Sequence, residues 1–196
     1  DSPLRHWDLT SPAASTRRPE RCSTTDVADS IVDIALLVTR ALDACGVAYS
    51  IGGSVASSFS GEPRFTQDVD ILVDLAAPQI DPLLAQLGAA FYADADAIRR
   101  AVARRSSVNL IHMATSIKID FFVAGASPLD APQLRRRQHR QVASNPDAFA
   151  YFHSHEDILL QKLLWYRSGG EVSERQWRDV QAIVLKQGGR LDLAYL

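Results

Sequence analysis

Asp68 and Asp70 stand two residues apart in the run Asp68-Val69-Asp70-Ile71, where acids alternate with apolar residues. A strand has a side-chain period of two, so both carboxylates of such a run point to one face and Val69 and Ile71 to the other. Two like charges side by side are unfavourable unless something compensates them. A divalent cation is the usual compensation: a hard ion such as Mg²⁺ binds through one or two carboxylates together with substrate phosphates. Upstream, Gly52-Gly53-Ser54 follows an apolar strand end made by Val47, Tyr49 and Ile51. Glycines let the backbone turn sharply and come close to a ligand, and the N–H groups of a helix start favour an anion. One end of this stretch suits phosphate, and the other suits a metal.

The elements that must position these groups are legible around them. A helix is predicted over 25–45, capped by Thr25, with Val27, Ile31, Ile34, Ala35, Val38 and Leu42 on one stripe and Gly46 as its stop. A strand over 47–51 leads into the glycine turn. A short helix over 54–60, a loop over 61–67 and the acid-bearing strand over 68–74 follow. Helical patterns recur over 75–90 and 94–105, the second carrying Arg99, Arg100, Arg104 and Arg105, either a substrate-facing basic patch or, as is commoner, a solvated face. Residues 107–113 and 116–123 read as a hairpin. In its second strand Ile117, Ile119 and Phe121 share one face and Lys118 and Asp120 the other. A buried strand acid without a partner is costly, so Asp120 needs either a salt bridge or a site. Residues 127–145 are polar and basic, with Arg135, Arg136, Arg137 and Arg140, and 150–153 form a brief strand. Ser154 opens a helix over 155–168 with Asp157 in a near capping box, and Ser173 with Gln176 caps a last helix over 174–187. His112 reads as structural, and the His153-x-His155 pair straddles a helix start without a matching cluster.

Composition bounds the function classes. The 196 residues are 46% hydrophobic and 22% charged with a net charge of −2, so no global charge draws the chain to nucleic acid or membrane. Cys22 and Cys45 make neither a disulfide framework nor a zinc site. No apolar run reaches the ~18 residues of a membrane span. The expectation is a cytoplasmic protein with no membrane partner. It is organised as a tail over 1–24, a core over 25–150 and a helical extension over 151–196 packed on the core.

Gly-Gly-Ser, thirteen residues, then Asp-x-Asp flanked by apolar residues resembles the signature of the nucleotidyltransferase superfamily with the DNA polymerase β-type fold. The run Arg64-x-Thr66-x-Asp68-x-Asp70 is similar to its small bacterial members, including the AbiEii-like toxins. The resemblance implies an α/β (α+β) fold, a small mixed sheet flanked by helices with a C-terminal helical extension. It implies Mg²⁺, or Mn²⁺ in its place, held by Asp68, Asp70 and Asp120, with Asp120 as the third carboxylate and general base. It implies phosphates of a nucleoside triphosphate such as ATP at Gly52, Gly53 and Ser54, with Lys162 pointing toward them. Arg64 reaches a phosphate, pairs with a nearby acid, or is a solvated loop residue. Lys162 otherwise snorkels along apolar surface. Arg178-Asp179 resembles the Arg-Asp near the end of these relatives, but Gln181 and Ala182 stand where a further acid is expected. The activity implied is transfer of a nucleoside monophosphate to a hydroxyl of RNA, protein or a small molecule, with pyrophosphate released. The basic stretch over 127–145 would line the acceptor side. The alternatives are a degenerate nucleotidyltransferase-like binding protein, one half of a toxin–antitoxin pair with a cognate antitoxin or other protein partner, and an antibiotic-modifying enzyme.

Overall fold

The computed structural model describes residues 24–61, 66–144 and 147–196. The tail up to residue 23 and Arg64 lie outside the described residues. The chain order is α1 (Thr24–Ala44), β1 (Ala48–Ile51), α2 (Gly53–Ser60), β2 (Asp68–Asp74), α3 (Ile80–Leu87), β3 (Phe91–Tyr92), α4 (Ala95–Arg104), β4 (Ser107–His112), β5 (Lys118–Val123), α5 (Asp130–Arg136), β6 (Gln138–Ser144), β7 (Asp147–Phe152), α6 (His155–Ser168) and α7 (Glu174–Gln187). No described helix is long and apolar enough to cross a membrane.

The strands form one mixed sheet in the order β3-β4-β5-β2-β1-β7-β6. β1 and β2 are antiparallel, whereas β2 runs parallel to β5 and β1 to β7. Alternation along β2 sets the two faces. Val69, Ile71 and Val73 are fully buried and join Ile119, Phe121 and Val123 of β5 in the core. That core also takes in Ile34 and Leu42 of α1, Leu83 of α3 and Ile98 of α4. Asp68, Asp70 and Leu72 face the other way.

α1 starts at Thr24, one residue before its expected cap at Thr25, so Thr25 stands inside the helix. Its end is as expected. Gly46 adopts φ +63, and Val47 N–H closes the turn on Leu42 C=O at 2.9 Å, a left-handed helix stop that favours glycine. The α6 cap is also as expected: Ser154 Oγ accepts from Asp157 N–H at 3.1 Å and donates to the Asp157 carboxylate at 2.8 Å. Ser173 Oγ accepts from Gln176 N–H at 3.4 Å at the start of α7.

The largest difference from the sequence reading lies at 127–153. The polar, basic stretch contains a short helix, α5, and a full strand, β6. The brief strand expected at 150–153 is β7, six residues long and seated between β1 and β6. Its core-side set is two alanines and one phenylalanine, Ala148, Ala150 and Phe152. Short side chains carry little hydrophobic signal, and Phe149 and Tyr151 on the opposite side blur the alternation.

This register gives a period-two test. Ala150→Asp should lower the unfolding free energy by ~3 kcal/mol or more, because the new carboxylate would be buried without a partner. Phe149→Asp, one residue earlier and 46% exposed, should stay within about 1 kcal/mol of the parent. Urea melts of the two variants check the pair, and equal losses would contradict the assigned faces.

Candidate functional site

The parallel register of β2 and β5 pairs Asp68 with Lys118, Asp70 with Asp120 and Leu72 with Phe122. β4 continues the same rows, placing Ile111 beside Lys118, Asn109 beside Asp120 and Ser107 beside Phe122. All these side chains share one face of the sheet. Asp68, Asp70 and Asp120, which the sequence spreads over more than fifty positions, are thereby brought together at one end of adjacent strands. Lys118 comes with them, and its ammonium lies 2.7 Å from Asp120 Oδ2. Thr66 Oγ1 bonds the Asp68 carboxylate. The three carboxylates face one region without closing on a single point: among the described residues no group of three or more such side chains converges as a ready metal cage.

Crowding of like charge is the electrostatic signature of this face. Burial pushes the Asp70 carboxyl up to about 6, Asp68 and Asp120 add to the rise, and Lys162 and Lys118 oppose it. Lys118 is raised, chiefly by its hydrogen bond to Asp120.

The glycine turn is built against Asp70. Gly52 N–H donates to Asp70 C=O at 2.9 Å, and α2 begins at Gly53. Gly53 has φ +57, and a Cβ there would lie 1.7 Å from Asp70 Oδ2. Only glycine allows the backbone to pass the carboxylate at that distance. Gly52 has a different reason. A Cβ on it would meet the His153 ring at 2.9 Å and Gln161 Oε1 at 3.2 Å. Ser54 is buried in the first turn of α2, the helix end that favours an anion. The far end of α2 is held by α7: Lys186 Nζ donates to Gly61 C=O at 2.9 Å and Gln187 Nε2 to Ser60 C=O at 3.0 Å. The C-terminal helix therefore fixes the element that carries the turn.

Lys162 is not a snorkelling residue. It is 1% exposed, its Nζ lies 2.7 Å from Asp179 Oδ2, and its charge is felt at Asp70. Asp179, whose missing neighbour acid left its role open in the sequence, is the carboxylate that holds Lys162 in place.

His153 was read as bland from the sequence, and the structure places it beside the turn. Its Nδ1 lies 2.7 Å from Ser50 Oγ, it is 1% exposed, and burial pushes it down to about 4, so the imidazole is neutral at pH 7. A cleft of about 240 Å³ opens next to it, bordered by Gly52, Asp70, Leu72, Phe122, Gln161 and Trp165. Gln133, Gln161 and Trp165 carried no sequence signal, because single polar or aromatic residues on a helix have no motif to announce them.

No protein-family model matches the chain, and no curated protein sequence matches it. Solved structures do. An antigenic nucleotidyltransferase-like protein from Paracoccidioides brasiliensis matches with a TM-score of 0.50 at 19% identity, over 82% of this chain and 75% of that one. The lincomycin-bound lincosamide antibiotic adenylyltransferase LnuA matches at 0.47 and 17% identity, over 82% and 96%. The antibiotic-resistance factor ANT(2'')-Ia matches at 0.45 and 13% identity, over 83% and 85%. The fold is that of the nucleotidyltransferase-like proteins, a mixed sheet flanked by helices, as the sequence resemblance implies.

Two outcomes follow from this geometry. Asp70 has a folded pKa raised from 3.8 to about 6, so the native state binds the extra proton and stability falls as pH rises between these values. Asp70→Asn should therefore stabilise the metal-free protein at pH 7–8 by on the order of 2–3 kcal/mol, with the gain gone below about pH 4. Chemical melts of both proteins across pH check this, and a flat difference would contradict the raised Asp70 pKa. Gly53→Ala should cost ~2 kcal/mol or more, from positive φ and collision with Asp70. Gly46→Ala, with φ +63 but nothing within 4 Å of the new methyl, should cost about 1 kcal/mol. Parallel thermal melts compare the two, and equal shifts would remove the collision.

Proposed function

We propose that the chain is a Mg²⁺-dependent nucleotidyltransferase, which moves a nucleoside monophosphate from a nucleoside triphosphate to a hydroxyl acceptor and releases pyrophosphate. The observation that carries the reading is the register of β2 on β5. It sets Asp70 beside Asp120, with Asp68 on the same face, against a glycine turn that opens a helix.

The donor set fits a hard cation. It is made of carboxylate oxygens alone, and burial, with Asp68 and Asp120 adding to it, pushes the Asp70 carboxyl up to about 6, a cost that a bound cation would offset. Asp68, Asp70 and Asp120 would hold the ion. When bound, it neutralises charge on the phosphates and on the attacking and leaving oxygens of an in-line displacement.

The chain's own residues account for the remaining steps. The Gly52–Ser54 backbone, at the positive end of α2, orients the phosphates. Lys162, set in place by Asp179, adds positive charge on the same side. Arg64 is proposed to contact a phosphate from the loop before β2. The acceptor hydroxyl attacks the α-phosphorus, its proton passes to the Asp120 carboxylate, and the bond to the leaving pyrophosphate breaks. Lys118, 2.7 Å from Asp120, orients that carboxylate. Most of the rate then comes from placement and preset electrostatics.

The acceptor face is the row Tyr92, Ile111 and Asn109, uncovered beside Asp120. It carries neither an acidic nor a basic cluster, which favours a hydroxyl on a small molecule or protein over RNA. One observation favours a second reading. The Lys118 ammonium on Asp120 competes with a metal ion and a proton for that carboxylate, which favours a nucleotide-binding module without turnover, such as an AbiEii-like toxin–antitoxin component.

Calorimetry with the four ribonucleoside triphosphates and Mg²⁺ tests the site, followed by transfer of an α-labelled nucleotide in the presence of candidate acceptors. The expected result is metal-dependent binding that falls at least ~100-fold in Asp68→Asn and Asp70→Asn while melts stay cooperative. Unchanged affinity in both variants would remove the metal-site assignment. Binding without any labelled product would favour the second reading.

A further inference from the structure

The cleft beside Asp70 contains polar groups that the fold itself leaves unused. Gln133 of α5 is 4% exposed and lines the cleft, yet its side-chain amide has no hydrogen-bond partner among the described residues. His153 is in the same position. Its Nδ1 is taken by Ser50, while Nε2 has no partner among the described residues and borders the cleft beside Gly52. Buried polar groups are almost always satisfied in a folded protein. Both residues are more than nine-tenths buried and line one cavity, so their open hydrogen-bonding capacity is available to a ligand there.

Two charged groups around the cleft, Asp130 and Arg105, are already engaged. Asp130 Oδ2 accepts from the N–H groups of Gly125, Ala126 and Ser127 at 2.8, 3.0 and 2.9 Å. Arg105 Nη1 donates to Ala124 C=O at 3.0 Å. What remains, beyond the Asp70 carboxylate on the phosphate side, is the Gln133 amide on one wall, Gln161 and His153 on another, and the apolar and aromatic surfaces of Leu72, Phe122 and Trp165. Such walls suit a flat ring with a donor and an acceptor on its edge. A side-chain amide offers one donor and one acceptor side by side, which matches the edge of adenine. Guanine is matched by arginine or lysine, and the cytosine amino group by a carboxylate.

We propose that this cleft is the nucleoside pocket, and that the Gln133 amide reads the base edge and selects adenine. The inference rests on the transferase reading above, since phosphates at the Gly52–Ser54 turn put the nucleoside next to Asp70. The wall that carries Gln133 is held in place. Arg136, one turn further along α5, pairs with Glu156 of α6 at 3.2 Å and lies 3.8 Å over the Tyr195 ring. Tyr195 in turn donates to Asp157 Oδ1 at 2.7 Å. The C-terminal segment thus ties the two helical walls of the cleft together.

The test compares Mg²⁺-dependent binding of ATP, GTP, CTP, UTP and inorganic tripolyphosphate by the full chain and by Gln133→Leu, which keeps the volume and removes the amide. Wild type should bind ATP at least about ten-fold more tightly than the others. Gln133→Leu should lose that preference, bringing the four nucleotides within about three-fold of one another, and should leave tripolyphosphate affinity unchanged. Gln161→Leu, on the opposite helix, serves as the control for a general disturbance of the cleft, and it should weaken all four nucleotides alike. Equal binding of the four by wild type overturns the pocket assignment alone, as does a preference that survives in Gln133→Leu. Loss of tripolyphosphate binding in Gln133→Leu also overturns it, because a base reader does not touch phosphate. Absence of binding by every triphosphate removes the transferase reading and this inference with it.

Discussion

The structure depends on one constraint: carboxylates held side by side on adjacent parallel strands, with a helix-opening turn pressed against one of them. The β2–β5 register places Asp70 beside Asp120, and the Gly53 backbone passes so close to Asp70 that no Cβ fits between. Each part makes sense only with the other. Carboxylates crowded in a partly buried site are destabilising in isolation. The raised Asp70 pKa expresses this conflict between stability and site chemistry.

The rest of the chain supports that conflict from a distance. α1, α3 and α4 bury the apolar side of the strands, so the register cannot slip by one residue without exposing Val69, Ile71 and Val73. α7 holds the end of α2 through Lys186 and Gln187. The buried Lys162–Asp179 pair brings positive charge to the side where Asp70 lies. A buried ion pair is weak support for stability, because desolvation offsets the attraction. Here its position argues that it serves the electrostatics of the site.

Much of the site was legible because local chemistry announces itself. Alternating Asp68 and Asp70 need no partner to reveal a shared face, and the glycine turn needs only its neighbours. Capping residues placed α6 and α7 to the residue, since Ser154 and Ser173 act within three positions of themselves. β6 and β7 were less legible. β7 buries alanines at two of its three core-side positions and β6 is a polar edge strand, so period-two contrast was weak. Lys162 was visible as an oddity in an apolar helix face, but its partner Asp179 sits on another helix.

The sequence by itself determined the spacing of the acids, the turn before them, the faces of β2 and β5 and the ends of most helices. These follow from backbone periodicity and from contacts within one turn or one strand. Only the tertiary structure decided that β7 lies inside the sheet, that Lys118 rests on Asp120, and that His153 meets Ser50 across a separation of 103 residues. It also decided why Gly52 must be glycine and which amides line the cleft. Those facts depend on which distant segments the shared core brings together, and no local pattern encodes that choice.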